Sequence, residues 1–174
     1  MLFKSVLCII ILLAGAGIGQ LKAKTYDNRV YHLQELITTL KVLESEMKYR
    51  LDPLPDLLIR VSGVKEGGMS GILLETAARL LKDPDSPDLS VCWERAVETA
   101  YQNSALTGED KRITADLGIE LGKTDLGSQY SMFQRTYTLL EAQAAEAIEE
   151  KKTKGKMYKS LGTAIGVLIV ILLI

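Results

Sequence analysis

Few side chains in this sequence are equipped for bond-making chemistry. There is one histidine, His32, and there are two cysteines, Cys8 and Cys92. A nucleophile with its base, or a multi-cysteine metal centre, would have to be assembled from these three. His32 stands beside the apolar seam of a helical pattern and reads as a partly exposed surface histidine rather than a general base. Cys92 precedes Trp93 on an apolar face, where free cysteine acts as a small buried hydrophobe. Cys8 lies in an apolar run far from Cys92 in the chain, so no disulfide is expected. Glu44 with Glu46, and Glu149 with Glu150, read as charges on solvated helix faces.

Two further stretches have spacing that invites a ligand. With Asp83 as the first position of a calcium loop, Asp85 falls at the third and Glu94 at the twelfth, but Pro87 and Asp88 fall where a ligand and a turn-making glycine are required. The stretch DPDSPD therefore reads as a solvated turn whose acids favour the start of the next helix. Gly63, Gly67, Gly68 and Gly71 surround Lys65 and resemble a phosphate loop at first sight. Such a loop needs Gly-Lys-Ser/Thr opening a helix after a strand. Here Lys65 precedes the glycine pair and no strand candidate exists, so the segment reads as a flexible connector. No metal, no cofactor and no catalysis are expected.

Charge narrows the partners. All 22 acidic residues fall within 25–150 with 13 of the 21 basic ones, giving that interval a net charge of −9 while the whole chain stands at −1. An acidic body is a poor match for nucleic acid. The other basic residues flank the ends: Lys4, Lys22 and Lys24 on one side, Lys151, Lys152, Lys154, Lys156 and Lys159 on the other. This collar suits anionic membrane lipids, at about 1 kcal/mol per Lys near a surface. It serves equally as an orientation signal.

The elements that must position these residues are all helical. The ends are expected to be transmembrane helices, over 3–21 and 157–174, because each is apolar over nearly the length that one hydrocarbon core requires. A secretory signal peptide is the rival reading of the N-terminus, since Lys4, the apolar run and Ala14-Gly15-Ala16 fit its three regions. The lysine bias puts both termini outside and the middle in the cytosol. Gly15 and Gly19, and Gly162 and Gly166, stand one turn apart and suit close packing of these helices with each other or with partner helices.

The middle, 25–150, is expected to be a helical bundle, which makes the fold class all-α with about six helices between the terminal spans. Tyr26, Val30, Leu33, Ile37, Leu40 and Met47 form one long seam, stopped by Pro53 and Pro55. Shorter helices follow over 56–61, 72–82 and 89–102, the last burying Trp93, Val97 and Ala100 with Cys92 or Ala96 beside them. Thr107 can cap a helix running to 121. Gly118 and Gly122 then permit close helix approach, with Gly122 alternatively the helix stop. Leu126, Tyr130, Phe133, Tyr137, Leu140, Ala144 and Ala147 form the second long seam. The two long helices are expected to pair antiparallel and carry the shorter ones as a cap. Composition and pattern by themselves stop at a membrane-anchored helical interaction domain.

A resemblance goes further. Leu43-Glu44-x-Glu46-Met47-x-Tyr49-x-x-x-Pro53-Leu54-Pro55, then Trp93, then Leu117-Gly118-x-x-Leu121-Gly122-x-x-Asp125-x-x-x-Gln129, and finally Lys156-Met157-Tyr158-Lys159-Ser160-Leu161-Gly162 resemble, in order and over the whole chain, the stage III sporulation protein AB family. The resemblance implies a non-enzymatic component of the complex joining mother cell and engulfed forespore in endospore-forming bacteria. It implies a fold similar to the inner-membrane platform protein of type II secretion and type IV pilus machines. The place implied is the mother-cell membrane facing the forespore, with the middle domain cytosolic. The partners implied are other stage III sporulation channel proteins and a secretion-type ATPase. Candidate contact residues are Tyr49, Pro53, Leu54, Pro55 and Asp56 in the proline turn, and Gly118, Gly122, Asp125 and Gln129 at the second corner. A proline turn and packing glycines are also what a bundle needs simply to fold. Self-association stays open, as do a membrane-tethered sensor or enzyme and a structural tether.

Overall fold

The computed structural model of the chain describes residues 2–50, 52–65, 67–102, 104–121 and 126–173, with side chains from 9 to 171 apart from Lys65 and Leu126. All regular structure among them is helical. In chain order the α-helices are α1 (Leu2–Tyr49), α2 (Leu54–Ser62), α3 (Met69–Leu81), α4 (Leu89–Tyr101), α5 (Gly108–Glu120), α6 (Leu126–Glu150) and α7 (Lys156–Leu173). A 3-10 turn, Gly63–Lys65, precedes α3, and a π turn, Lys151–Gly155, joins α6 to α7. The chain divides into two compact units, one of 1–30 with 146–174 and one of 31–145.

The unit of 31–145 holds the main core. Leu33, Leu36, Leu40 and Leu43 of α1 are wholly enclosed, with Leu58, Leu73, Leu74, Trp93, Leu117, Phe133 and Leu140. Each such side chain contributes about 1.5–3 kcal/mol relative to exposure. The α1 and α6 seams run antiparallel: the Tyr137 hydroxyl donates to Glu44 Oε2 at 2.8 Å, and Lys41 pairs with Glu141 at 3.2 Å. The order of those partners reverses along the two helices. The short helices pack in succession, α2 on α3, α3 on α4, α4 on α5.

Local chemistry sets the short helices. Pro55 occupies the first turn of α2, where its missing N–H is not needed. Thr107 accepts from the Asp110 N–H while the Asp110 carboxylate accepts from the Thr107 N–H, a reciprocal cap that starts α5. Gly67 takes φ +73, a conformation that side chains disfavour, and α3 begins at Met69, three residues before the expected start. The reason is long-range: buried Glu35 of α1 supplies the cap that the local sequence lacks.

In the unit of 1–30 and 146–174, α1 and α7 approach backbone to backbone. A Cβ on Gly19 would stand 2.6 Å from Tyr158 O, and one on Gly162 2.6 Å from Gly15 O. Only glycine allows that spacing. Tyr26 and Tyr158 stack at 6.0 Å, and buried Arg29 pairs with Glu150 at 2.8 Å.

The expectation of two terminal transmembrane helices, over 3–21 and 157–174, is overturned. Among the described residues no helix is long and apolar enough to cross a membrane. In α7 the first four residues are Lys156, Met157, Tyr158 and Lys159. Its apolar part therefore begins only at Leu161, after two lysines. In α1 the apolar run ends at Ile18 and gives way to Gln20, Lys22 and Lys24. The outer parts of both expected spans lie outside the described side chains.

Candidate functional site

The surface expected to bind a partner begins where α1 ends. Arg50 N–H closes the last turn on Glu46 O at 3.0 Å, and Pro53 O accepts from the Asp56 and Leu57 N–H groups at 3.0 and 3.2 Å. This reversal leaves Tyr49 77% exposed with the Lys48 ammonium 5.5 Å from its ring centroid. Pro53 and Asp56 are exposed, Leu54 and Pro55 half-buried. Ion pairs brace the turn: Glu46 with Arg50 at 2.7 Å, Asp52 with Arg60 at 2.9 Å, and Asp56 with Lys82 at 2.9 Å.

Beside that turn a groove of about 430 Å³ opens between the end of α1 and the start of α6. Met47, Phe133 and Tyr130 give it apolar walls; Glu44, Lys48 and Gln129 give it polar edges. Phe133 stacks on Tyr137 at 6.0 Å and is buried, whereas Tyr130 is 57% exposed. The structure thus gathers Gln129 with the end of α1. It places Gly118 elsewhere: buried in α5 against the Trp93 indole, where a Cβ would meet ring carbon Cδ1 at 2.2 Å. Gly122 and Asp125 lie outside the described residues.

The groups considered for chemistry are tied into packing. Cys92 is buried and its thiol donates to Pro87 O at 3.4 Å. His32 Nδ1 accepts from the Ala105 N–H at 3.2 Å, and burial holds the ring's pKa below its ordinary value against the opposing pull of Glu35. Among the described residues no cluster of His, Cys, Asp and Glu is arranged to hold a metal ion. The acidic turn folds on itself, with Asp83 Oδ1 accepting from the Asp85 N–H.

Glu44 corrects the sequence reading, because it is half-buried and accepts from Tyr137 rather than standing on a solvated face. Burial, then the hydrogen bond to Glu44, push the Tyr137 hydroxyl well above its ordinary range. Glu150 is likewise engaged. Its hydrogen bond to Lys154, with Arg29 adding to it, holds its carboxyl below the usual value. Two polar positions escaped the sequence reading altogether. Glu35 is buried and caps α3, and Tyr101 donates to Asp110 O at 3.0 Å while burial raises its hydroxyl. Their only local signal was a polar residue within an apolar pattern.

Of the lysines in the basic collar, Lys151 pairs with Asp27 at 2.9 Å, Lys152 with Glu149 at 3.1 Å and Lys154 with Glu150 at 2.6 Å. Lys156 and Lys159 are exposed and have no carboxylate partner among the described residues.

A helical unit built on two long antiparallel seams, with four short helices and an aromatic-edged groove, defines a protein of the all-α class. The comparisons give the particular family. The family described as stage III sporulation protein AB matches residues 4–174, and the chain belongs to it. A curated stage III sporulation protein AB of Bacillus subtilis (strain 168) is 27% identical over 165 residues, 95% of either chain. A solved structure of a stage III sporulation protein AB shares the fold at TM-score 0.66 and 21% identity, covering 72% of this chain and 98% of that one. The family is named for a stage of sporulation rather than for a reaction.

Proposed function

We propose that this protein is a non-catalytic platform in the channel or secretion complex between mother cell and forespore, where it couples a secretion-type ATPase to the other stage III proteins. In this reading 31–145 faces the mother-cell cytosol and presents the ATPase contact. The observation that carries it is the groove between α1 and α6, lined by exposed Tyr130, with exposed Tyr49 next in the chain after its lining residue Lys48. An apolar floor with aromatic residues and a polar edge is the make-up of a protein-binding patch. Family membership supplies the sporulation setting. The exposed Leu13, Ile18, Leu21, Leu168 and Ile171 of the other unit give further apolar surface for the remaining channel proteins.

The test is co-purification of the full chain with a secretion-type ATPase. Tyr49→Ala with Tyr130→Ala removes both exposed rings without touching an enclosed side chain. Loss of the ATPase, with the helical circular dichroism retained, is the expected result. Undiminished capture by a folded double variant would remove the groove from the coupling role.

A further inference from the structure

We propose that a lysine-lined cavity beneath the π turn, within the unit of 1–30 and 146–174, is a binding site for a phosphoryl-bearing anion. The cavity measures about 180 Å³ and is floored by Ala23 of α1 and Gly155 of the π turn. Ala23 is 2% exposed and Gly155 is buried, yet a Cβ on Gly155 would meet nothing within 4 Å. The floor is therefore made by two small residues, and open space is left above the second. A pocket of this size is too small for a drug-sized ligand but has room for one or two phosphoryl groups.

Four ammonium groups and one carboxylate line it: Lys151, Lys152, Lys156, Lys159 and Asp27. Asp27 is taken by Lys151, and Lys152 pairs with Glu149. Lys156 and Lys159 remain, three apart on one side of α7, facing the cavity with no carboxylate partner among the described residues. Lined by like charges, the cavity favours a multivalent anion, whose oxygens accept from several ammonium groups at once. Lysine is suited to phosphate as a compact point charge. Lys159 and Asp27 also border a neighbouring groove of about 720 Å³ with Gln20, Lys24 and Thr163, so a group attached to the phosphoryl has somewhere to lie. The site rests on this unit alone and is independent of the ATPase reading.

Two sources share the chemistry, a free phosphate compound and an anionic lipid headgroup. The full chain is titrated with pyrophosphate at constant ionic strength, and separately co-sedimented with phosphatidylcholine vesicles with and without phosphatidylglycerol. Binding in either assay is expected, weakened at least about tenfold by Lys156→Gln with Lys159→Gln. Gly155→Leu keeps every charge but fills the cavity, and the same loss is expected. Lys41→Gln with Lys111→Gln removes equal charge elsewhere and should leave binding intact. Pyrophosphate binding alone assigns a free phosphate compound. Vesicle binding that needs phosphatidylglycerol and is reversed by pyrophosphate assigns a headgroup. No binding in either assay, or full binding by a folded Gly155→Leu chain, or equal loss in the Lys41/Lys111 variant, overturns the site.

Discussion

Glu35 of α1 reaches into the first turn of α3, where its Oε1 accepts from the Ser70 backbone N–H at 2.9 Å and from the Ser70 hydroxyl at 2.6 Å. Thr39 completes the chain at 2.9 Å from Ser70 Oγ. A carboxyl group at a helix N-terminus meets otherwise unsatisfied N–H groups and the positive end of the helix dipole. Here the group is 2% exposed, and its Oε2 has no hydrogen-bond partner.

Glu35→Ala should therefore cost about 1–3 kcal/mol, because it strands the buried Ser70 backbone N–H and leaves the Ser70 hydroxyl only Thr39 as partner. Gly68→Ala should also destabilise, since its Cβ would stand 2.3 Å from Glu35 Oε1. Urea unfolding measures both, and an unmoved midpoint for either variant would deny the cap its role.

Trp93 is the sole tryptophan and lies against Gly118, with its indole N–H donating to Thr114 O at 2.8 Å. Gly118→Ala should cost about 1–3 kcal/mol by overpacking. The displaced indole should shift its fluorescence to the red. Wild-type stability and emission together would show that the α4–α5 contact gives way freely.

The burial that lowers the His32 pKa makes a pH prediction. Folding favours the neutral ring, so the unfolded chain binds more protons between the folded pKa and the ordinary 6.5. Stability contributed by this group is present above pH 6.5 and falls as pH drops through that window. His32→Gln retains an acceptor for the Ala105 N–H but does not titrate. Denaturation from pH 7 to pH 5 should show a smaller loss in the variant; identical slopes would exclude His32 as the cause.

Tyr137→Phe removes the donor to Glu44 and leaves a half-buried carboxylate short of a hydrogen bond. A cost of about 1–2 kcal/mol is expected. The Tyr137→Phe, Glu44→Gln double-mutant cycle isolates the pair, and a coupling energy of zero would mean that solvent replaces it.

Much of the fold was legible because apolar spacing reports a helix directly. The seams through Leu33, Ile37 and Leu40, and through Phe133, Tyr137 and Leu140, are buried as their period requires. The Trp93 face of α4 and the Thr107 cap followed from local chemistry in the same way. Hydropathy was less dependable at the ends, where apolar content was taken for membrane-spanning length. At the candidate surface the sequence could name Tyr49 and Gln129 but not show which of its residues meet. Gly118 proved to serve Trp93, and Met47 and Phe133, read as seam residues, form walls of the groove.

The sequence by itself determined the helices, most of their buried faces and the family, since these depend on residue type at short, regular spacing. Only the tertiary structure decided that Glu35 is a buried cap and that α3 begins at Met69. It alone placed Glu44 beneath the Tyr137 hydroxyl and opened a cavity under the π turn at Lys151. Each of these depends on a partner more than 20 residues away in the chain or on space left between helices. A polar residue's fate is set by the donor or void that folding brings to it, and no local pattern encodes that meeting.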